Sequence, residues 1–149
     1  MEKEMKVLEV NRSDRKGIAK EPIGEGNFIE DFGLEGDAHA GKWHRQVSLL
    51  AIESYHRMEE MGIRDLPIGA FGENLTTVGI ELHTLPVGTI LKIGDTVHEV
   101  TQIGKECHVM CNIGKSVGTC VMPKEGIFTK VLKGGMIKKD DKIELELPR

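Results

Sequence analysis

Cys107, Cys111 and Cys120 are the chain's only cysteines and fall within fourteen residues of one another. They lie in GKECHVMCNIGKSVGTC (104–120), where Cys107 follows the end of a predicted strand, close to Lys105 and beside His108. Either cation favours the thiolate, the form that attacks sulfur, carries a persulfide or binds a soft metal. The adjacent Glu106 works against it. Cys107, His108, Cys111 and Cys120 are alternatively a zinc set, although C-H-x-x-C followed by a cysteine nine residues later matches no common finger or ribbon. Cys111 and Cys120 also suit the role of small buried hydrophobes.

A second chemical segment is GLEGDAHAGKWHRQ (33–46), in which permissive glycines alternate with polar side chains just before an apolar run. Such a loop can turn backbone N–H groups, His39, His44 and Arg45 toward an anion. It can also offer Asp37, His39 and His44 to a metal, or it is a surface loop whose Asp37 caps its own turn. The third segment, GAFGENL (69–75), sets Glu73 and Asn74 between apolar neighbours. There they either fix the backbone of a tight turn or hold a ligand by hydrogen bonds. Neither GxxxxGK[ST] nor a strand-linked GxGxxG occurs, so those two phosphate cradles are not supported.

These segments sit between short elements. Lys6–Val10 reads as a first strand, and 18–30 as a turn followed by a strand. Val47–Leu50 reads as a short buried strand. Ile52, Tyr55, Met58 and Met61 recur at helical spacing, with Ser48 as a candidate N-cap and Gly62 as the stop. Thr89–Ile93 and Val97–Ile103 flank Gly94-Asp95, a strong two-residue hairpin signal. Gly126–Leu132 reads as a second short helix closed by Gly134-Gly135, and Lys142–Leu147 as a last strand. Eighteen glycines spread between short apolar runs reinforce this punctuation. The expectation is a mostly β chain, a small barrel or curled sheet of short strands with about two short helices. Alternating β and α units are missing, which argues against a doubly wound parallel sheet.

Length and charge narrow the function classes. At 149 residues the chain fits one domain, and 39% hydrophobic residues are too many for a disordered one. A formal net charge of −4 argues against a nucleic-acid binder. The longest apolar runs are too short for a membrane span or a signal-peptide core. An odd number of cysteines is a poor disulfide framework and points to reduced thiols, hence to the cytoplasm.

Taken in order, GLEGDAHAG-x-x-HRQVSLL (33–50), FGENLT (71–76), LPVGTILKIGD (85–95), the strand into GKEC (104–107) and GIFTKVLKGGMIKKDDKIEL (126–145) resemble the MOSC domain, named for the C-terminal domain of molybdenum-cofactor sulfurase. The resemblance spans nearly the whole chain. It implies a mostly β, barrel-like fold and a role in binding, delivering or sulfurating the molybdenum cofactor. The family's functional cysteine after the long strand matches Cys107, implied as molybdenum ligand or persulfide carrier. Many relatives have Arg and Pro shortly before it, where this chain has Lys105 and Glu106.

The cofactor-binding candidates are Gly36, Asp37, His39, His44 and Arg45 from the first loop and Glu73 and Asn74 from the second. Arg45, His39, His44 and the glycine amides would face the dianionic phosphate, with Lys42 and Lys115 adding screening charge. Partners would be a sulfur donor and cofactor-maturation or acceptor molybdoenzymes, with neither nucleic acid nor membrane involved. No pyridoxal phosphate is expected, since the chain is too short to hold the lyase of full-length sulfurases. Two further readings are a molybdenum-dependent reductase of N-hydroxylated compounds, supplied with electrons by another protein, and a non-enzymatic module stapled by zinc.

Overall fold

The computed structural model describes residues 4–15, 19–62, 65–104 and 125–148. The elements are β1 (Lys6–Arg12), β2 (Glu21–Pro22), β3 (Glu25–Ile29), β4 (Gly33–Leu34), β5 (Val47–Ala51), α1 (Ile52–Glu60), β6 (Leu75–Val78), a 3-10 turn (Leu82–Thr84), β7 (Ile90–Ile93), β8 (Thr96–Ile103), β9 (Ile127–Lys133), β10 (Gly135–Lys138) and β11 (Ile143–Glu146). Eight strands form one sheet in the order β11-β7-β8-β9-β5-β6-β1-β2, and β10-β3-β4 form a second. The large sheet curls until its two sides meet. No full ladder closes it: the seam between β1 and β11 is one antiparallel bridge, Lys6 to Lys142. Three backbone hydrogen bonds reinforce it, Val7 N to Asp141 O (2.9 Å), Asp140 N to Val7 O (2.7 Å) and Ile143 N to Met5 O (3.0 Å).

Alternation explains most of the strands. In β8 burial alternates, with Thr96, His98 and Val100 buried, and in β11 polar and apolar residues alternate; Val100 and Ile143 enter a core built around Val7, Leu49, Leu75, Leu91 and Ile127. β5 does not alternate, because both of its faces are covered. Val47, Leu49 and Ala51 point into the main core, while Leu50 joins Tyr55 and Met58 of α1 in a smaller cluster with Phe128. The expected hairpin is present, with Ile93 opposite Thr96 across Gly94-Asp95.

Three expectations need correction. The segment 126–132 is not helical: Ile127–Lys133 is β9, paired along its length with β8 and on its other side with β5. Ile127 and Val131 face the main core and Phe128 faces the helix side, so burial on both faces mimicked a helical stripe. Gly134 is no helix stop either. A Cβ there would come within 2.6 Å of Phe28 O, so the close crossing onto the small sheet requires glycine. Ser48 lies inside β5, and α1 begins directly from the strand at Ala51 without a side-chain cap. Finally, β5 and β6 are parallel and joined through α1, a single βαβ unit in an otherwise antiparallel sheet.

His98 of β8 is wholly buried beside Phe28. Thr96 Oγ1 gives its proton to Ile93 O (2.7 Å), so it accepts from His98 Nε2 (2.8 Å), and His98 Nδ1 accepts from Thr129 Oγ1 (3.1 Å). Burial pushes the imidazole down to about 3 from its ordinary 6.5. Unfolding therefore takes up a proton between those pH values, and stability falls as the medium is acidified through that window, by at most about 1.4 kcal/mol per pH unit. His98→Gln keeps polar contacts without a titrating ring. Urea unfolding across this pH range is expected to show a shallower acid slope in the variant than in the wild type.

Candidate functional site

The loop 35–46 leaves β4 and re-enters the sheet at β5, and a buried ion pair fixes its shape. Lys20 Nζ lies 2.9 and 3.1 Å from the two carboxylate oxygens of Asp37, with both side chains fully buried. Asp37 Oδ1 also accepts from Ser13 N (3.1 Å), and Oδ2 accepts from His39 N (3.1 Å), the self-capping turn that the sequence suggested. Burial alone would raise the Asp37 carboxyl, but the hydrogen bond and charge of Lys20 outweigh it and hold the group below its ordinary 3.8. Lys20 Nζ lies 3.0 Å from His39 Nδ1, so that ring nitrogen accepts and Nε2 carries the proton. The alternative metal set of Asp37, His39 and His44 is not formed, because Lys20 occupies the space a cation would need. Among the described residues no group of three or more His, Cys, Asp or Glu side chains is arranged to hold a metal. Lys20 was missed from sequence: seventeen residues before its partner, it carries no local signal.

The second glycine turn packs beneath. Asn74 Oδ1 accepts from Ser48 N (3.0 Å), its Nδ2 donates to Asn11 O (3.3 Å), and its backbone carbonyl accepts from Asn11 N (2.7 Å). It therefore laces β1 to β5 at the end of the barrel where the loop lies. Glu73 is completely buried, and its Oε2 accepts from Tyr55 Oη (2.6 Å) and Thr76 Oγ1 (2.8 Å). Its Oε1 is buried without a hydrogen-bond partner, and burial raises its carboxyl above the ordinary carboxylate range. The Tyr55 phenol is raised as well, by burial first and then by Glu73. Tyr55 accepts from Gly69 N (2.9 Å). Gly69, at φ +92°, lies so close to Lys20 O that no side chain fits there, which couples this turn to the Lys20–Asp37 pair.

Toward the end of β8 the loop presents its exposed part. His44 Nε2 lies 2.9 Å from Gln102 Oε1, and Thr101 Oγ1 bonds His44 O. Gln102 Nε2 donates to Gly104 O (2.7 Å), and Gly104 N donates to Gly126 O (2.6 Å). The chain thus departs after Gly104 and returns at Gly126 at one point of the rim, with Glu125 held by Ser54 and Arg57 of α1. Arg57 offsets the effect of burial and keeps the Glu125 carboxyl below its ordinary value. Cys107, Cys111 and Cys120, with Lys105, Glu106, His108 and Lys115, lie outside the described residues.

Arg45 is half-buried, its guanidinium carbon 4.8 Å from the centre of the Trp43 ring and 5.7 Å from that of Phe128. Its Nε is buried, and it forms neither hydrogen bond nor ion pair with any described residue. Gly36 lies elsewhere on the loop. It lines an open groove of about 600 Å³ with Arg12, Ser13, Arg15 and Ile23, among others, and none of His39, His44, Arg45, Glu73 or Asn74 borders it. The sequence candidates therefore fall into three places: an anchor (Asp37, His39, with Glu73 and Asn74 below), a rim (His44, Arg45) and a groove (Gly36). Trp43 joins the first two.

An open, curled antiparallel sheet with one βαβ unit and a glycine-rich loop over its end defines the class. The MOSC domain model matches residues 36–144, and the chain belongs to that family, which is associated with molybdenum-cofactor-sulfurase-like proteins. It is 27% identical over 141 residues to the uncharacterised protein YflK of Bacillus subtilis (strain 168), covering 87% of this chain and 62% of YflK. Among solved structures it is similar to the YuaD protein of Bacillus subtilis, at a TM-score of 0.83 and 17% identity over 99% of this chain and 98% of that one. It is also similar to YiiM of Geobacillus stearothermophilus, at a TM-score of 0.73 and 22% identity over 95% and 75%. These structural likenesses show the shared fold.

Removing one member of the buried pair strands the other. Asp37→Asn is expected to cost about 3–5 kcal/mol, while Lys20→Met with Asp37→Leu costs less than Asp37→Asn alone. Denaturant titration at neutral pH measures both. In the wild type the contribution of Asp37 is present at neutral pH and is lost as pH falls below 3.8.

Proposed function

We propose that this protein binds the molybdenum cofactor and acts in its sulfuration, delivery or maturation, with Cys107 as molybdenum ligand or persulfide carrier. The observation that carries this reading is Arg45: a half-buried cation, its Nε buried without a partner and with no counter-ion among the described residues, on the rim where β8 ends. Such a group fits a ligand that brings its own negative charge, as the terminal phosphate of the cofactor does. Cys107 follows three residues after Gly104, the last described residue of that rim.

In this reading Arg45 and His44 hold the phosphate, and the Lys20–Asp37 pair fixes the loop that presents them. His39 and the loop amides offer further donors. Gly36 lies in the separate groove and is not brought to this rim, while Glu73 and Asn74 act by holding the loop's floor. The cofactor, when bound, supplies a thiophilic metal, for which a cysteine thiolate is a suitable ligand. The same thiolate can attack the outer sulfur of a donor protein's persulfide, forming its own persulfide as the donor leaves as a thiolate, and pass that sulfur on by the same exchange. A sulfur donor and a cofactor-maturation or acceptor molybdoenzyme are therefore the proposed partners. The cytoplasm is the proposed compartment, because reduced thiols persist there. No helix among the described residues is long and apolar enough to cross a membrane.

The test is the molybdenum and pterin content of wild type and Cys107→Ser expressed in a host that makes the cofactor, read by elemental analysis and by fluorescence of the oxidised pterin. The expected result is molybdenum with pterin in the wild type and loss of molybdenum or of transferable sulfur in a folded variant. Zinc alone in the wild type would overturn the reading in favour of the stapled module.

A further inference from the structure

We propose that Trp43 is the positioning residue of a phosphate receptor on the rim: its indole holds the Arg45 guanidinium in one orientation without taking up the terminal guanidinium donors that a phosphate monoester would bind. This rests on the reading of Arg45 as the phosphate-binding group and names what makes that residue competent.

An arginine is usually immobilised by a carboxylate, which takes up its N–H groups and cancels its charge. Arg45 is held differently. The Trp43 ring lies 4.8 Å from its guanidinium carbon and the Phe128 ring 5.7 Å away, both within the range at which an aromatic face attracts a cation. Ring faces accept no N–H bond in the guanidinium plane, so the planar fork keeps its geometry and its full charge. The indole is itself fixed. Its Nε1 donates to His39 O at 2.9 Å, and His39 N donates to Asp37, which is locked to Lys20. A chain of contacts thus runs from a buried ion pair through one backbone turn to the indole and then to the guanidinium.

The rest of the rim agrees. The ring of His44 packs edge-on to Trp43 at 6.0 Å between centroids and bonds Gln102, so it forms a polar border without neutralising Arg45. The basic groove beside Gly36 contrasts with it. In the groove beside Gly36, Arg12 and Arg15 share the lining with Asp14 and Glu21, and Arg12 already donates to Glu35 O. Among the described residues positive charge is balanced there and unbalanced at Arg45. Trp43 is also the chain's single tryptophan, so its emission reports on this site alone.

The test uses full-length protein purified from a host that cannot make the molybdenum cofactor, so that no cofactor phosphate fills the site, with inorganic phosphate as the probe, read by Trp43 emission and by calorimetry. Phosphate is expected to change the emission saturably, and Arg45→Gln to abolish that change. By calorimetry Trp43→Ala should bind phosphate roughly tenfold more weakly. Trp43→Phe, which restores an aromatic face without the N–H bond, should recover most of the affinity. Circular dichroism and thermal midpoints check that each variant is folded, and the phenylalanine variant serves where the alanine variant is not.

Equal phosphate affinity in wild type and a folded Trp43→Ala would overturn the proposal, as would the absence of any phosphate response in the wild type. The molybdenum and pterin content of the same protein expressed in a cofactor-making host separates the two readings. Cofactor present without a phosphate response sinks the receptor and leaves the cofactor reading standing. A phosphate response that follows Trp43 and Arg45 without any cofactor sinks the cofactor reading. It leaves a receptor for another phosphate monoester.

Discussion

The Lys20–Asp37 pair is the interaction on which the upper end of this protein depends. Taking both charges out of water costs several kcal/mol per ion, which close pairing alone does not reliably repay. Here the deficit is offset because Asp37 also accepts backbone N–H bonds from Ser13 and His39, while Lys20 reaches a third acceptor in His39. The pair therefore closes only when the chain around Ser13, the approach to β2 and the glycine-rich loop have all arrived. It joins three segments distant in sequence, and its stability is inseparable from the loop conformation it enforces. Where a buried pair has no such backbone bonds, hydrophobic residues of similar volume usually serve as well or better.

Beneath this anchor the barrel end is polar where a core would ordinarily be apolar. Asn11, Asn74, Thr76 and Glu73 are all fully buried and bonded into one network with Tyr55. A satisfied network of this sort rigidifies its surroundings, and a partly satisfied one stores tension. The second condition holds here, since Oδ1 of Asn11 and Oε1 of Glu73 are buried without partners. The uptake of a proton by Glu73 removes the charge that burial penalises, so the floor of the loop favours low pH even though the loop's own anchor favours neutral pH. The two adjacent layers therefore set opposite pH limits on the loop: acid loosens its anchor, and rising pH charges its floor.

Much of this architecture was legible in the residues. The Gly94-Asp95 hairpin was clear because a two-residue turn chemistry fixes its own register, and the helix from Ile52 was clear because Tyr55 and Met58 repeat with its period. β9 was misread for a physical reason: Ile127, Phe128, Val131 and Leu132 are spaced as on a helix, and a strand covered on both faces loses the alternation that would separate the two. The loop 33–46 announced itself through its glycines, but its division into anchor and rim did not. That division is made by Lys20, Trp43 and Gln102, which act across distances that spacing does not encode. The cysteine segment supplied the chemical idea from sequence, and only the place where the chain leaves and rejoins the sheet can be read in the fold.

That place has its own consequence. β8 and β9 are antiparallel neighbours whose last and first residues, Ile103 and Ile127, face each other, with Gly104 bonded to Gly126 just beyond. In the order of the sheet, the connection of residues 105–125 stands where a hairpin has its turn. The entropy of closing such a turn rises only slowly, by about 0.6 kcal/mol for each doubling of its length. By that scaling the length of chain between Gly104 and Gly126 can change at small entropic cost while the β8–β9 register stays as it is.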